Sequence, residues 1–233
     1  MSALALALVI PLVGAVGIAL AGKWPNLREG VTLATAVLLF GTVLQLLDPV
    51  LAGARPELIL FDILPWLSIA FKVEPLGMLF GLIASGLWIV NSVYSIGYMR
   101  GNKEQNQTRF YVCFALSLAS AIAIAFAANL LTLFLFYEML TLITYPLVTH
   151  AGTDKARTGG RTYLAILMGT SILFLLPAVI YVWHLTGTTD FRPGGILPAG
   201  MDSGAVAVLL ALFMFGIGKA ALMPFHRWLP AAM

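Results

Sequence analysis

Seven long apolar runs dominate the sequence, and each is close to the length that a helix needs to cross a bilayer. A spanning helix takes about 20 residues, and the runs cover residues 2–21, 30–48, 76–98, 110–128, 130–149, 162–184 and 204–223. Of the 233 residues, 61% are hydrophobic and 10% are charged, whereas soluble domains carry about 25% charged residues. The sequence therefore predicts an all-α, polytopic membrane helix bundle with one transmembrane helix for each run.

The first run is predicted to be a retained spanning helix rather than a cleaved signal peptide. Ala19, Leu20 and Ala21 resemble a signal-peptidase site, but no Lys or Arg precedes the run, and secretory signals normally open with positive charge. Cys113 is the only cysteine, which excludes a disulfide or a thiolate metal site within the chain. The net charge of +3 comes largely from basic residues in short loops, a pattern typical of topology signals rather than of nucleic-acid binding.

The basic residues also predict how the helices are oriented. With the N-terminus outside, the inside loops are 22–29, 99–109 and 150–161, and the outside segments are 49–75 and 185–203. The inside loops hold eight basic residues: Lys23, Arg28, Arg100, Lys103, Arg109, Lys155, Arg157 and Arg161. The outside segments hold three: Arg55, Lys72 and Arg192. Because cytoplasmic loops carry the excess of Lys and Arg, we predict a multi-pass protein of the plasma (cell inner) membrane with its N-terminus outside.

The longest connection, residues 49–75, is predicted to form a short hairpin or re-entrant element on the outer face. It contains the four prolines Pro49, Pro56, Pro65 and Pro75. Its apolar residues are too interrupted for another span, and they alternate too poorly for a clear strand pattern.

Apart from Asp48 at the end of the second run, the predicted spans contain two charged residues, Glu138 in the fifth run and Lys219 in the seventh. A charge at a helix centre costs about 2.5–3.5 kcal/mol on insertion scales, which a leucine would avoid. One interpretation is a structural ion pair that locks two helices together. The other is a proton relay, because ionisable groups inside a membrane are by default candidates for functional sites. In a relay, changing the distance between the carboxylate and the amine would make Lys219 take up or release a proton.

Residues around this pair predict a broken helix and a polar helix face. Gly216 and Gly218 precede Lys219, while Pro224 and Pro230 follow it, and the backbone groups freed by such a break must face protein or water.

On the fifth helix, Thr141 and Tyr145 share the face of Glu138. Pro146 cannot donate a hydrogen bond to the carbonyl of Leu142, which leaves a further polar group near that face. The two hydroxyls either order water beside the carboxylate or hydrogen-bond a neighbouring helix, and the sequence leaves both alternatives open.

The three histidines are too scattered to suggest a metal site. His226 follows Lys219 by seven residues, in the predicted break, and is the third predicted member of the relay. His150 ends the fifth run, where it acts either as a helix-end cap or in proton uptake; His184 is predicted to be interfacial. The sequence contains no P-loop, dinucleotide-binding motif or nucleophile elbow, so no cofactor, metal or covalent catalytic site is expected.

The stretch "GKAALMPFHRWLPAAM" resembles the K-x-A-x-x-x-P-x-H-x-W-L-P-x-A-M signature of one family of membrane subunits. These are the antiporter-like subunits of respiratory complex I, membrane-bound hydrogenases and Mrp-type cation/proton antiporters. The segments "VYSIGYM", "RFYVCFALSLAS" and "ANLLTLFLFYEML" resemble the same family in the same order, so the resemblance covers about residues 73–233. "TYPLVTH" and "GRTYLAILMGTSILFLLPA" look most similar to the D-type subunit of Mrp antiporters.

The resemblance carries implications for the site and for domain organisation. It implies that Glu138, Lys219 and His226 match the family's buried glutamate, lysine and histidine, and that the subunit binds no redox cofactor. Since the family has two inverted repeats, we expect an N-terminal fragment forming a single membrane domain over residues 1–233. Within it, residues 1–98 would hold helices one to three with the outer loop, and 99–233 an incomplete first repeat. Ala231 departs from the aspartate of many family members, so no ion-uptake role is assigned to it.

The sequence is compatible with three functions. The first is a proton-translocating subunit of a multisubunit Na⁺ or K⁺/proton antiporter, with other membrane subunits, protons, monovalent cations and lipid as partners, and no nucleic acid. The alternative is a proton-pumping membrane subunit of a NADH–quinone oxidoreductase or membrane-bound hydrogenase, which leaves open whether the complex is an enzyme. The third is a purely structural membrane subunit with a fixed ion pair.

Overall fold

A computed structural model describes residues 2–64, 67–198 and 200–232. Within these ranges, six helical segments are long and apolar enough to cross a membrane: Ala3–Lys23, Pro25–Leu51, Pro75–Gly101, Gln107–Ala125, Leu130–Val148 and Asp154–Thr186. They correspond to the first six predicted runs, and the predicted all-α membrane bundle is confirmed. The last of them begins well before residue 162, because Thr153 caps it by accepting a hydrogen bond from the Ala156 amide at 3.1 Å.

The seventh run is a shorter element than predicted. Its helix, Ser203–Gly216, has 14 residues, which corresponds to about 21 Å against a hydrocarbon core of about 30 Å. The seventh run was predicted to end near residue 223, whereas its helix ends at Gly216. The helix stops at the glycines that precede Lys219.

The first of two compact units comprises the chain up to Leu58 together with Phe71–Ala127. Its helices are α1 (Ala3–Leu20), α2 (Pro25–Leu44), α3 (Leu47–Leu51), α4 (Pro75–Gly101) and α5 (Gln107–Ala125). Glycines allow these helices to approach closely. A Cβ atom on Gly14 would lie 2.2 Å from Thr35 Cγ2, and one on Gly77 would lie 2.1 Å from the carbonyl oxygen of Ala125. Such contacts between small residues are a main source of helix association in lipid, where burial of apolar surface gives little driving force.

Two buried charged residues in this unit correct the sequence analysis. Helix α2 begins at Pro25, so Arg28 and Glu29 lie in a helix and not in a loop, and both are buried. Glu138 and Lys219 are therefore not the only charges inside the spans.

The connection before α4 contains a two-stranded hairpin, β1 (Glu57–Leu64) and β2 (Leu67–Lys72). The predicted hairpin is confirmed, although Pro65 lies outside the described residues and the side of the membrane stays a prediction. Lys72 Nζ lies 3.1 Å from Glu57 Oε1 and 3.5 Å from a Glu74 oxygen. The hydrogen bond to Glu57 raises the pKa of Lys72. This salt bridge joins the first residue of β1 to the last residue of β2.

The second unit comprises Ile59–Ala70 and the chain from Ala128 onward. Its helices are α6 (Leu130–Val148), α7 (Asp154–Thr170), α8 (Leu176–Thr186), α9 (Ser203–Gly216) and α10 (Trp228–Ala232). A π-helical turn, Ser171–Leu175, joins α7 to α8. The buried residues Leu130, Ala178, Val179, Val182 and Leu209 form one apolar cluster that holds α6, α8 and α9 together.

Candidate functional site

Lys219 lies in a break of the helical structure. Helix α9 ends at Gly216, a short 3₁₀ turn covers Gly218–Ala220, and α10 begins only at Trp228. The predicted break is thus confirmed, but it begins before the lysine rather than after it. Lys219 sits on irregular backbone, which is tolerated at membrane depth only where protein or water satisfies it.

The two glycines of the break pack against the junction of α7 and α8. A Cβ atom on Gly216 would lie 2.6 Å from the backbone nitrogen of Leu175, and one on Gly218 would lie 2.2 Å from Thr170 Oγ1. The first of these contacts falls on the π-helical turn, a feature that is frequent at functional sites. Glycine is therefore needed here for close approach as well as for ending the helix.

Helix α6 binds Lys219 through neutral groups. The backbone N–H of Lys219 donates to the hydroxyl of Tyr137 at 3.1 Å, and Nζ donates to the carbonyl oxygen of Tyr137 at 3.0 Å and to Thr141 Oγ1. Nζ also lies 3.4 Å from the centroid of the Tyr137 ring, in a cation–π contact. Because Thr141 donates its own proton to the Tyr137 carbonyl at 3.0 Å, its oxygen is free to accept from the lysine.

Glu138 lies next to this contact but does not take part in it. Its two carboxylate oxygens are buried and have no hydrogen-bond partner among the described residues. Nor does an ion pair join Glu138 to Lys219 in that part of the chain, so the locked pair of the structural interpretation is not observed. A buried carboxyl group without a partner calls for a specific explanation, and a proton, a cation or water would satisfy it.

The secondary candidates separate into two groups. Thr141 is fully buried and contacts Lys219 directly. The ring of Tyr145 instead packs on α7, where a Cβ atom on Gly160 would lie 2.9 Å from its Cε2. His150 follows the end of α6 at Val148, in a turn closed by a hydrogen bond from its N–H to the Leu147 carbonyl.

The other two histidines lie on different elements. His226 lies in the short turn Phe225–Arg227 of the break, and its Nδ1 is buried with no hydrogen-bond partner in the described ranges. It makes no hydrogen bond to Lys219 there. His184 lies in the last turn of α8. Over the residues that the structure describes, no group of three His, Cys, Asp or Glu side chains is placed to hold a metal ion.

Sequence reasoning missed a second set of residues that fixes the break. Thr144 Oγ1 and Tyr163 OH lie 2.6 Å apart, and the Tyr163 ring meets Trp228 edge to face with centroids 5.6 Å apart. Trp228 Nε1 in turn donates to the Gly218 carbonyl at 2.9 Å. The spacing of Tyr137, Thr141 and Thr144 is that of one helix face, and it would have been recognised by starting from Thr141 instead of Glu138.

Comparison with known proteins identifies the fold around this site. Residues 127–233, which include Glu138, Lys219 and His226, match the family described as "NADH:quinone oxidoreductase/Mrp antiporter, TM". This segment is a domain of that family. The resemblance noted in the sequence is thereby confirmed for this segment, and the chain is a multi-pass membrane protein.

Curated relatives come from both branches of the family. NADH-quinone oxidoreductase subunit N of Desulforudis audaxviator is 29% identical over 170 residues, which cover 72% of this chain and 33% of the relative. The putative antiporter subunit mnhA2 of Staphylococcus haemolyticus is 26% identical over 210 residues, covering 87% of this chain and 26% of the relative. The chain thus spans a third or less of these relatives. Since both branches match, the likeness to the D-type subunit of Mrp antiporters stays a prediction.

Two solved structures share the fold. A chain of the membrane-bound sulfane sulfur reductase, an archaeal respiratory membrane complex, has a TM-score of 0.83 at 20% identity, covering 100% of this chain and 47% of that one. A chain of the Mrp complex from Dietzia sp. has a TM-score of 0.80 at 23% identity, covering 99% of this chain and 43% of that one. Both belong to multisubunit membrane complexes.

Proposed function

We propose that this chain is part of a proton-translocating subunit of a multisubunit Na⁺ or K⁺/proton antiporter, in which Glu138, Lys219 and His226 carry the proton. The observation that supports this most is the placement of Lys219. Its amine lies in a break between helices and donates to the Tyr137 carbonyl and the Thr141 hydroxyl. The next residue after Tyr137 on α6 is Glu138, whose buried carboxyl group has no hydrogen-bond partner among the described residues. A structural ion pair would instead join the two groups directly.

This arrangement suits proton transfer because Glu138 and His226 both have buried polar atoms with no hydrogen-bond partner among the described residues. Lys219 donates to a carbonyl and a hydroxyl, neither of which takes its proton. Movement of the glycine-flanked break relative to α6 would alter the separation between the amine and Glu138. His226, which lies later in the break and whose Nδ1 has no hydrogen-bond partner in the described part of the chain, is the next proposed station. The partners of such a subunit are further membrane subunits, protons, monovalent cations and lipid.

The alternative is the same relay in a proton-pumping subunit of a NADH–quinone oxidoreductase or hydrogenase complex. The match to a NADH-quinone oxidoreductase subunit supports it. In that case the movement of the break would be driven by electron transfer in a partner subunit instead of by an ion gradient.

The two functions differ in what drives proton movement. The full-length subunit is reconstituted with its partner subunits in vesicles containing a pH-sensitive dye. We expect an imposed Na⁺ or K⁺ gradient to move protons without any electron donor. Proton movement that requires NADH and a quinone, and does not respond to the cation gradient, would contradict the antiporter and favour the enzyme complex.

We further propose that the subunit lies in the plasma membrane with its N-terminus outside, from the distribution of basic residues. In a Cys113→Ser background, single cysteines at Asn102, Thr153 and Gly194 are exposed to an impermeant thiol reagent in whole cells. We expect labelling at position 194 alone, and labelling at all three positions after permeabilisation. Labelling at positions 102 and 153 but not at 194 in intact cells would show that the protein has the opposite orientation.

A further inference from the structure

A second cluster of buried charges lies in the first compact unit. Arg28 and Glu29 come from α2 and Arg100 from the end of α4, and the side chains of Arg28 and Glu29 are each 6% exposed. The Glu29 carboxylate accepts from Arg28 Nη2 at 3.3 Å and from Arg100 Nε at 3.0 Å, and it also pairs with Arg100 Nη2. Two guanidinium groups thus face one carboxylate, and the cluster keeps a positive charge.

The neighbouring groups bind Arg28 without neutralising it. Arg28 Nη1 donates to Thr108 Oγ1 at 3.2 Å and Nη2 donates to Gln107 Oε1 at 2.7 Å. Arg28 Nε and the Tyr111 hydroxyl are buried and have no hydrogen-bond partner among the described residues. Because charges taken out of water need compensation, an excess of positive charge here favours an anion nearby.

The cluster reaches the surface through Arg100. This side chain is 47% exposed, and its Nη2 also donates to Asn26 Oδ1. Asn26 lines an open cavity of about 530 Å³ together with Trp24, Pro25 and Leu27. Trp24 and Leu27 are exposed, so the cavity has apolar walls and a cationic edge.

The position of this cavity in the sequence places it at a membrane boundary. Trp24 lies between the first two spans, the other lining residues begin the second span, and Arg100 lies at the end of the third. Lys23, Lys103 and Arg109 lie in the same two connections or beside them. Tryptophan is enriched at membrane–water interfaces, and basic pockets between helices at a boundary bind anionic headgroups.

We propose that the surface formed by Trp24, Asn26, Leu27 and Arg100 binds the headgroup of an anionic phospholipid. Arg100 and the Asn26 amide would contact the phosphate, and the apolar walls would contact the first carbons of the acyl chains. A small soluble anion would leave Trp24 and Leu27 uncovered, whereas a lipid uses both parts of the cavity. This proposal is independent of proton transport.

The test uses the full-length protein, purified in a neutral detergent and stripped of native lipid. It is titrated with phosphatidylglycerol, phosphatidylcholine or glycerol phosphate, and bound molecules are counted by native mass spectrometry. We expect phosphatidylglycerol to bind more tightly than phosphatidylcholine. Arg100→Gln should weaken phosphatidylglycerol binding about fivefold, the change that corresponds to about 1 kcal/mol for one basic side chain at a membrane surface.

Two further variants make the result specific. Trp24→Ala keeps the bonds of Arg100 to Glu29 and should also weaken phosphatidylglycerol binding, so the test stands even if Arg100→Gln fails to fold. Arg157→Gln removes an equal charge from an exposed position in the other unit and should leave binding unchanged. Equal binding of the two lipids, or full binding by Trp24→Ala, would overturn the proposal. Glycerol phosphate binding as tightly as phosphatidylglycerol would show a site for soluble anions instead.

Discussion

Replacing Lys219 with glutamine in the full-length subunit is expected to reduce cation-dependent proton movement by tenfold or more, while the complex still assembles. Glutamine can donate to either oxygen that Lys219 Nζ contacts, the Tyr137 carbonyl or Thr141 Oγ1, but it carries no titratable proton. The backbone bond from residue 219 to the Tyr137 hydroxyl does not depend on the side chain. The measurement is dye-reported proton flux in vesicles, with assembly checked by size-exclusion chromatography.

A second substitution separates proton transfer from charge. Lys219→Arg keeps the positive charge, but a guanidinium does not release its proton in proteins. We expect it to be as inactive as Lys219→Gln. Lys155→Gln makes the same chemical change at an exposed position in the first turn of α7 and should transport normally.

The outcome with arginine is decisive. If Lys219→Arg transports as well as the wild type while Lys219→Gln does not, the lysine supplies a fixed charge and not a proton. Normal transport by both variants would remove Lys219 from the mechanism altogether.

The number and type of the long helices could be predicted from the sequence because the bilayer imposes a length on every apolar run. The exception was the run that ends near residue 223. Hydropathy continues through "FMFGIGKAALM", whereas the helix stops at Gly216. What ends it is the packing of Gly216 on Leu175 and of Gly218 on Thr170, and these contacts depend on residues more than 40 positions away in the sequence.

The candidate residues could be selected from the sequence, but their contacts could not. Glu138 and Lys219 could be recognised because charge inside an apolar run is costly. The contacts of Lys219 with Tyr137 and Thr141, and not with Glu138, could not be predicted. Adjacent positions on a helix point in directions that differ by about 100°. Only the position of the facing element decides which of them is reached. Trp228 belongs to the stretch "GKAALMPFHRWLPAAM". Its hydrogen bond to the Gly218 carbonyl depends on the conformation of the chain between the two residues, which the sequence does not show.

Arg28 and Glu29 were assigned to a loop for a related reason. Charged residues beside a run suggest its end, and the sequence alone gives no sign that Arg100 returns to the same place. The structure shows them in α2, with Arg100 and Glu29 paired across a separation of 71 residues. Pairing with a residue distant in the sequence thus allows a charged residue to lie within a transmembrane helix, where the local hydropathy pattern predicts a loop.

Replacing Glu138 with glutamine is expected to abolish transport without lowering the stability of the complex. The carboxylate has no hydrogen-bond partner in the described part of the chain, so the substitution breaks no bond that the structure shows. It also removes a group that costs about 2.5–3.5 kcal/mol at a helix centre on insertion scales. The thermal unfolding midpoint should therefore stay the same or rise, while proton flux falls because the carboxyl that acts on Lys219 is lost. Such opposite changes are typical of residues kept for function at the expense of stability.

Glu104→Gln is the matched control for this variant, because it makes the same change in the connection between α4 and α5 and should alter neither quantity. A joint loss of flux and stability in Glu138→Gln would indicate a structural carboxylate whose partners lie elsewhere in the complex. Normal flux in a stable Glu138→Gln complex would exclude Glu138 from the relay. Under the relay, the Glu138 carboxyl, which has no hydrogen-bond partner among the described residues, and the Lys219 amine are two halves of one pair, held apart in this conformation. Glu138→Gln must then stop proton movement even though it breaks no observed contact.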